Sequence, residues 1–284
     1  MINIETAYEV ENYLKNNKFF IFGTGFVAEN LYRYLENNKI NNNVMGYVET
    51  NPQKSEFNDL PVYTLEKISK LRTTPIIIAV HYSIFNQIKA KLDKLGITDW
   101  IWIYPFLCEL ICGHPYKKNV IINPYSFIHS ACFSERVISS IYLIGIGYMF
   151  NQNKIGKNIC LKYLSLFSTY NTALKRWDSF SNMISKFDGS NISNLGNLMI
   201  ASDLGLLIDG NHRLSLALYK KIPEINADLF NVNYEMINGI FQFLKLLDSK
   251  EGVRRLFDSK ESKYILRLTD KLIISNDINQ YCIF

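Results

Sequence analysis

The sequence predicts two domains that both mix helices and strands, first an α/β domain built on a parallel sheet and then an α+β domain. Its 284 residues exceed the roughly 100–200 of a typical single domain. Before Phe106, short apolar runs alternate with helical patterns, which is typical of a parallel sheet with crossover helices. After Ala173, two short strand patterns joined by a tight turn lie between helical patterns, which favours a smaller α+β sheet.

The first predicted domain covers residues 1–106 and consists of strand patterns separated by helical ones. Apolar runs without polar alternation indicate strands that are buried on both faces of a parallel sheet. Helical patterns extend from Gly25 through Leu35 and over Ile84–Leu95. The strand patterns are Lys18–Phe22, Asn43–Val48, Pro61–Tyr63, Ile76–Val80 and Trp100–Ile103.

A glycine-rich turn follows the first strand pattern and opens the first helical one. Gly23 and Gly25 allow a tight turn in which a phosphate approaches the helix N-terminus, and the small Ala28 lets helix and strand pack closely. Glu49 follows about 20 residues later, where an acidic side chain would hold a ribose hydroxyl. These four residues predict a nucleotide cofactor site, and a purely structural role of the turn is the alternative.

This segment resembles the small Rossmann-like domain at the front of bacterial sugar acyltransferases and of some surface-polysaccharide proteins. The resemblance covers Lys18–Phe106 and implies a Rossmann-like fold with a nucleotide or nucleotide sugar as its ligand. In those acyltransferases a left-handed β-helix follows, and this sequence does not sustain such a repeat, which disfavours acyl transfer. The matching stretches are Ile21–Gly25, Gly46–Glu49, Leu60–Val62 and Ile76–Val80.

Residues 107–170 are predicted to form a helical connector. Ser134–Phe150 holds enough apolar residues for one buried helix, but it is shorter than the roughly 20 residues that span a bilayer. Cys108, Cys112 and His114 offer only three metal ligands at a spacing unlike that of common zinc sites. Reduced, mostly buried thiols are therefore the preferred interpretation of the five cysteines.

The second predicted domain covers residues 171–284 and begins with an amphipathic helix. Trp177, Phe180 and Ile184 fall on one face of that helix, and Asp188–Ser190 is expected to end it. Two strands and a hairpin turn follow, then a helix through Tyr219 and one more strand. The strands are Asn197–Ala201, Leu206–Ile208 and Ile225–Phe230, and the predicted outer helices are Tyr234–Ser249 and Lys263–Ile273.

The run Asp209–Arg213 links the end of a strand to the start of a helix and carries the strongest chemical signal. Gly210 allows the sharp reversal, and the first backbone N–H groups of the helix after Asn211 lack internal partners and form an anion site. Arg213 adds a planar fork that suits phosphate oxygens, and His212 can donate a hydrogen bond or a proton. The sequence therefore predicts a phosphate-binding corner.

Asp209 does not suit a bare phosphate, because both carry negative charge. It fits a Mg²⁺ ligand, or a partner that orients Arg213 or His212. The alternative is structural: Asp209 caps the helix and pairs with Arg213, while His212 packs at the domain surface.

The hairpin, the corner and the following Leu-Ser-Leu-Ala-Leu helix resemble the ParB/sulfiredoxin superfamily, over about Arg176–Phe230. Members carry Asp-Gly-x-His-Arg or related boxes that bind nucleotide phosphates, with ATP, ADP or CTP as the nucleotide. A catalytic cysteine precedes the His-Arg pair in sulfiredoxins, and Asn211 occupies that position here. The box is closest to those of serine kinases and of related surface-polysaccharide proteins.

The resemblance implies a kinase that transfers a phosphoryl group to a small hydroxylated metabolite in surface-polysaccharide synthesis. Asp209 and His212 are then catalytic candidates, with Mg²⁺ beside Asp209 and ATP or ADP as the cofactor. A carboxylate must also orient the acceptor hydroxyl, and Asp178 is the nearest candidate, although an acidic residue at a helix start also compensates the dipole. Arg176 is a candidate contact for an anionic substrate.

Two other classes of function stay open, a non-catalytic regulator that binds a nucleotide or nucleotide sugar and a ParB-like DNA-binding protein or nuclease. The net charge of +5 comes without a dense basic run or a helix-turn-helix, which disfavours a nucleic-acid partner. Since the N-terminus lacks a signal peptide and no apolar run reaches membrane-spanning length, a cytoplasmic location is expected. The sequence leaves the oligomeric state undecided.

Overall fold

The computed structural model describes residues 2–70, 74–166, 168–187, 196–232 and 245–273. The chain divides into two compact units, Met1–His114 and Pro115–Phe284. Most of the helix predicted for Tyr234–Ser249 and the predicted helix end at Asp188–Ser190 lie outside the described residues. In the part of the chain that is described, no helix is long and apolar enough to cross a bilayer.

The first unit contains a six-stranded sheet in the order β3-β4-β2-β1-β5-β6. Its neighbouring strands pair in parallel except for β3, which pairs antiparallel with β4. The five parallel strands therefore have the spatial order 3-2-1-4-5, the order of a doubly wound α/β sheet. The α/β prediction is confirmed for this unit. The strands are β1 (Phe19–Phe22), β2 (Val44–Glu49), β3 (Glu56–Phe57), β4 (Leu60–Thr64), β5 (Ile76–Ile78) and β6 (Trp100–Trp102).

Helices in this unit bury the strands on which the glycine turn depends. All four residues of β1 are buried, as expected for a central strand covered on both faces. The last helix extends to Cys112, so the unit continues past the predicted boundary at Phe106. The helices are α1 (Ala7–Asn16), α2 (Phe26–Asn37), α3 (Leu65–Ser69), α4 (Tyr82–Lys94) and α5 (Tyr104–Cys112).

The second unit contains a four-stranded mixed sheet in the order β7-β10-β8-β9. β8 pairs in parallel with β10, while β7 with β10 and β8 with β9 are antiparallel. A single 3-10 turn, Ser202–Leu204, and the left-handed Gly205 join β8 to β9 as a hairpin, in agreement with the sequence pattern. The strands are β7 (Lys117–Ile122), β8 (Leu198–Ala201), β9 (Leu206–Asp209) and β10 (Ile225–Phe230).

One buried helix, α7, lies at the centre of the second unit and packs against α8, α10 and α12. The predicted connector, 107–170, is therefore divided between the units: its first residues complete α5, and its remainder supplies β7 and three helices to the second unit. The physical reason is that most side chains of α7 are apolar and the helix is buried on nearly every side, so it must be enclosed by a core. The helices are α6 (Pro124–Ser130), α7 (Phe133–Met149), α8 (Gly156–Ser165), α9 (Tyr170–Lys186), α10 (Asn211–Tyr219), α11 (Lys250–Leu256) and α12 (Ser259–Lys271).

Gly156→Ala is expected to destabilise the second unit, because α8 begins in close contact with α7. A Cβ at Gly156 would lie 2.3 Å from the Ile144 carbonyl oxygen and 2.8 Å from Tyr148 Cβ. Overpacking of this kind costs about 1–3 kcal/mol, which chemical unfolding would measure. Gly25→Ala is the control, since a Cβ there meets nothing within 4 Å. Equal free energies of unfolding for the two variants would contradict the close approach.

Candidate phosphate-binding site

The predicted corner lies where β9 ends at Asp209 and α10 begins at Asn211. Gly210 is the N-cap residue of α10, with φ 112° and ψ 16°, and no side chain caps this helix. A side chain at Gly210 would be strained, and its Cβ would lie 2.6 Å from Leu198 Cδ2. The turn therefore requires glycine, and this leaves the first turn of α10 without the side-chain acceptor that usually satisfies it.

Arg213 is held in place by two acceptors on opposite sides of its guanidinium group. One terminal nitrogen donates to Asp209 Oδ2 at 2.9 Å, and the other donates to the Asn197 carbonyl oxygen at 2.5 Å. The side chain is only 17% exposed, against 65% for Asp209. Asp209 therefore pairs with Arg213, as the structural alternative expects, but the N-cap position belongs to Gly210 and not to Asp209.

His212 packs inward against two aromatic rings. It stacks on Phe180 of α9, with ring centroids 4.6 Å apart and an interplanar angle of 25°. Tyr142 of α7 meets it edge-on at 4.6 Å. These two aromatic contacts fix the orientation of the imidazole ring. The rings on α7 and α9 therefore determine which edge of His212 faces a ligand at the corner.

Arg176 and Asp178 are the two candidate site residues on α9, and only Arg176 acts on the aromatic residues that contact His212. Asp178 is exposed and lies outside the buried stripe Ala173, Trp177, Phe180 and Ile184, which belongs to the core of the unit. Arg176 is exposed as well, but its positive charge acts on the Tyr142 phenol. Burial raises the pKa of Tyr142 well above its usual range, and Arg176 opposes that rise.

Glu135 of α7 is a buried polar residue next to β9, and the sequence patterns did not predict it as part of the site. Its side chain is fully buried, and its Oε2 accepts a hydrogen bond from the Leu207 N–H at 3.1 Å, two residues before Asp209 on β9. Its Oε1 has no hydrogen-bond partner within the described part of the chain. Burial raises the pKa of Glu135 to about 8, and the Leu207 hydrogen bond opposes the rise. Glu135 is therefore mostly protonated at neutral pH.

Glu135, Ser139 and Tyr142 form a buried polar face along α7, at positions i, i+4 and i+7. Tyr142 contacts His212 at the start of α10, and Phe150 stacks on Tyr219 at its end, so α7 and α10 run in the same direction. The polar face of α7 therefore lies beside the segment in which β9 ends and α10 begins, with Glu135 next to β9 and Tyr142 next to α10. Glu135 lies between Ser134 and Arg136 in the polar first turn of α7, so the sequence offered no clear signal for its burial.

The glycine turn of the first unit is built differently from the corner. Gly23 has φ 106°, donates its N–H to the Val48 carbonyl at 2.9 Å, and would place a Cβ 3.1 Å from the Ala79 carbonyl oxygen. The fold itself therefore requires Gly23. Gly25 caps α2 with φ −95°, and a Cβ there would meet nothing within 4 Å.

Ala28 and Glu49 take the places that the glycine pattern predicts. Ala28 is fully buried on α2, where it allows close packing. Glu49 is the last residue of β2, and its carboxylate accepts a hydrogen bond from the Thr24 hydroxyl within the turn. The turn, the start of α2 and the Glu49 carboxylate thus meet at the carboxyl edge of the parallel sheet, where α/β sheets bind ligands.

The structure gives no support to a metal site built by protein ligands alone. Among the described residues, no group of three or more His, Cys, Asp or Glu side chains is arranged to hold a metal ion, and this includes Cys108, Cys112 and His114. A Mg²⁺ ion bound beside Asp209 would differ, because Mg²⁺ commonly takes one or two carboxylates together with phosphates and water.

Glu135→Gln is expected to raise the free energy of unfolding at neutral and alkaline pH. Between the ordinary pKa of 4.5 and about 8, the folded chain holds a proton at Glu135 that the unfolded chain releases. Wild-type stability should therefore fall as pH rises through this window, by about 1.4 kcal/mol per unit. Urea unfolding from pH 5 to 9 would measure the slope, and the glutamine variant, which still accepts from Leu207, should lose it. The exposed Glu224→Gln is the control, and the same slope in all three proteins would refute the assignment.

Comparison with known proteins reaches the first unit only. A family model described as C2185-like, N-terminal, matches residues 15–100. These residues extend from the end of α1 to β6 and include the glycine turn, whereas the phosphate corner lies beyond the match. No curated protein and no solved structure matches the chain. The first unit is thus similar to the N-terminal domain of C2185-like proteins.

Proposed function

We propose that the second unit is a nucleotide-dependent phosphotransferase that acts on a small hydroxylated metabolite. The observation that carries the proposal is the start of α10, where a left-handed glycine replaces a capping side chain beside a fixed arginine. Unsatisfied N–H groups and a guanidinium group at one helix N-terminus favour a phosphate.

Each residue of the corner has a role that fits phosphoryl transfer. The nucleotide phosphates would accept hydrogen bonds from the first turn of α10, and Arg213 would neutralise their charge. Asp209 is exposed and next to Arg213, so it can hold Mg²⁺ and orient the guanidinium group at the same time. His212 would donate a hydrogen bond from its fixed ring. Phosphoryl transfer depends mainly on positioning and charge neutralisation, which these groups provide.

The nucleotide and the pathway rest on resemblance alone. The Asp-Gly-Asn-His-Arg box implies ATP or ADP, with CTP as the alternative, and a ParB/sulfiredoxin-like fold. The resemblance of both halves to surface-polysaccharide proteins implies an acceptor from that chemistry. Asp178 remains the candidate to orient the acceptor hydroxyl only if the acceptor reaches the exposed side of α9, while the fully buried Glu135 is excluded from contact with it.

Asp209→Ala is expected to abolish phosphoryl transfer and the effect of Mg²⁺ on nucleotide binding. The substitution removes an exposed carboxylate, and Arg213 keeps its hydrogen bond to the Asn197 carbonyl oxygen, so the unit stays folded. The first measurement is the melting temperature with ATP, ADP or CTP, with and without Mg²⁺, followed by phosphorus NMR with hydroxylated acceptors. A native-state ligand at 100 times its Kd adds about 2.7 kcal/mol of stability.

Asp203→Ala is the matched control, because Asp203 is an exposed carboxylate in the turn of the same hairpin. It should bind and transfer as the wild type does. Arg213→Ala should lose nucleotide stabilisation altogether. If no nucleotide raises the melting temperature of the wild type, or if Asp203→Ala and Asp209→Ala behave alike, the phosphotransferase proposal fails.

A second candidate function, a nucleotide-sugar-binding regulator, is favoured by Gly25. Since neither its backbone angles nor its packing require glycine, the absent side chain fits the approach of a ligand to the start of α2. The Glu49 carboxylate lies where it would accept from a ribose hydroxyl.

Gly25→Val is expected to leave the melting temperature of the free protein unchanged and to abolish stabilisation by UDP-glucose. The valine would occupy the open space in front of α2 and exclude the pyrophosphate. Thermal melting with and without UDP-glucose measures both effects, and ATP binding at the second unit provides the internal control. Undiminished stabilisation of the valine variant would show that the turn has a structural role only.

A further inference from the structure

A depression of about 600 Å³ lies on the second unit between the end of α7, the start of α8 and one face of α9. Its apolar wall is formed by Tyr148, Met149 and Trp177, and the two aromatic rings pack with centroids 6.0 Å apart. Its polar lining comes from amides, one hydroxyl and two ammonium groups. The polar residues are Asn151, Asn153, Lys154, Lys157 and Ser181.

The loop that forms one side of the depression is rigidly held by buried hydrogen bonds. Asn153 is 5% exposed, and its amide donates to the Ile144 carbonyl at 2.9 Å and accepts from the Gly156 N–H at 2.8 Å. The Gln152 N–H donates to the Gly147 carbonyl at 2.8 Å. The loop thereby folds back on the last turns of α7, and the depression exists before any ligand binds.

The positive charge of the depression comes from Lys154 and Lys157. Neither lysine forms an ion pair with any residue that the structure describes. Lys157 is the second residue of α8, whose N-cap residue makes no side-chain hydrogen bond and whose first turn has no acidic residue, although Asn153 Oδ1 accepts from its first N–H. A cation at that position opposes the helix dipole, so the local field favours a bound anion.

We propose that this depression binds a small phosphorylated sugar or a sugar-like polyol phosphate. The two ammonium groups suit the phosphate, the amide of Asn151 and the hydroxyl of Ser181 suit ring hydroxyls, and the partly exposed Tyr148 suits the apolar face of a sugar ring. The volume accommodates a ligand of that size.

The depression is distinct from the corner but joined to it through α9. Trp177 packs against Phe180 with centroids 6.0 Å apart, and Phe180 stacks on His212. Trp177, which lines the depression, is thereby linked through Phe180 to His212 at the phosphate corner. The binding itself requires no nucleotide, so it does not rest on the proposed phosphoryl transfer.

The test is calorimetric titration of the full chain with glucose 6-phosphate, glucose and inorganic phosphate at constant ionic strength and without nucleotide. Glucose 6-phosphate should bind at least about tenfold more tightly than the other two, since it alone engages both halves of the depression. The paired variant Lys154→Ala, Lys157→Ala should weaken that binding by about tenfold or more, because charged hydrogen bonds are lost.

Lys175→Ala is the matched control, since it removes the same charge from an exposed position on α9 outside the depression. Its affinity should stay within about twofold of the wild type, because exposed charges at a distance are screened by salt. Melting temperatures confirm that each variant is folded. The proposal is overturned if the wild type does not bind glucose 6-phosphate, if glucose or phosphate binds as tightly, or if the paired variant binds as the wild type does. Failure here leaves the nucleotide experiment at Asp209 unaffected.

Discussion

The second unit depends on the complete enclosure of α7. This helix is buried on nearly every side, and α8, α9, α10 and α12 pack round it. The same enclosure carries its polar groups into the interior. There Glu135 accepts a hydrogen bond from the Leu207 N–H of β9, the strand that ends at Asp209. The geometry of the corner is thus set from within the core.

In the first unit, the parallel sheet determines where the candidate site residues lie. Since its strands point the same way, the ends of β1 and β2 meet at one edge, where Gly23 and Glu49 follow from the strand order alone. The hydrogen bond from Thr24 to Glu49 shows that these two strand ends are linked before any ligand arrives. Gly25 is the one residue of the turn for which packing provides no reason.

The sequence predicted the parts of the fold that repeat with a clear period. Most strands, the hairpin and the corner at Asp209–Arg213 follow from local patterns of apolar residues, glycine and turn formers, but the short β3 and β7, which lies in the predicted helical connector, were not predicted. The place of α7 in a core could not be predicted, because a helix that is buried on nearly every side has no period that points to its neighbours. Hydrogen-bond partners that are distant in sequence could not be predicted either. The bond of Arg213 to the Asn197 carbonyl oxygen and that of Glu135 to the Leu207 N–H depend on tertiary packing. The sequence therefore named the corner residues, and the structure identified what holds them.

Both candidate sites of the second unit, the depression and the phosphate corner, lie at the N-terminus of a helix. Side chains of Asn123, Thr169, Ser249 and Asp258 cap α6, α9, α11 and α12, so capping is the rule among these helices. α7 has no side-chain cap, and Glu135 in its first turn is mostly protonated at neutral pH, so it does little to offset the helix dipole. The N-cap residues of α8 and α10 also make no side-chain hydrogen bond, and each of these helices has a basic residue within its first three positions, Lys157 and Arg213. Leaving N–H groups and cations together is costly unless an anion or water satisfies them, because their fields add. Within the chain, Asp209 pairs with Arg213 and Asn153 accepts from the Gly156 N–H, so a bound anion would chiefly satisfy Lys157 and the other N–H groups of these two first turns.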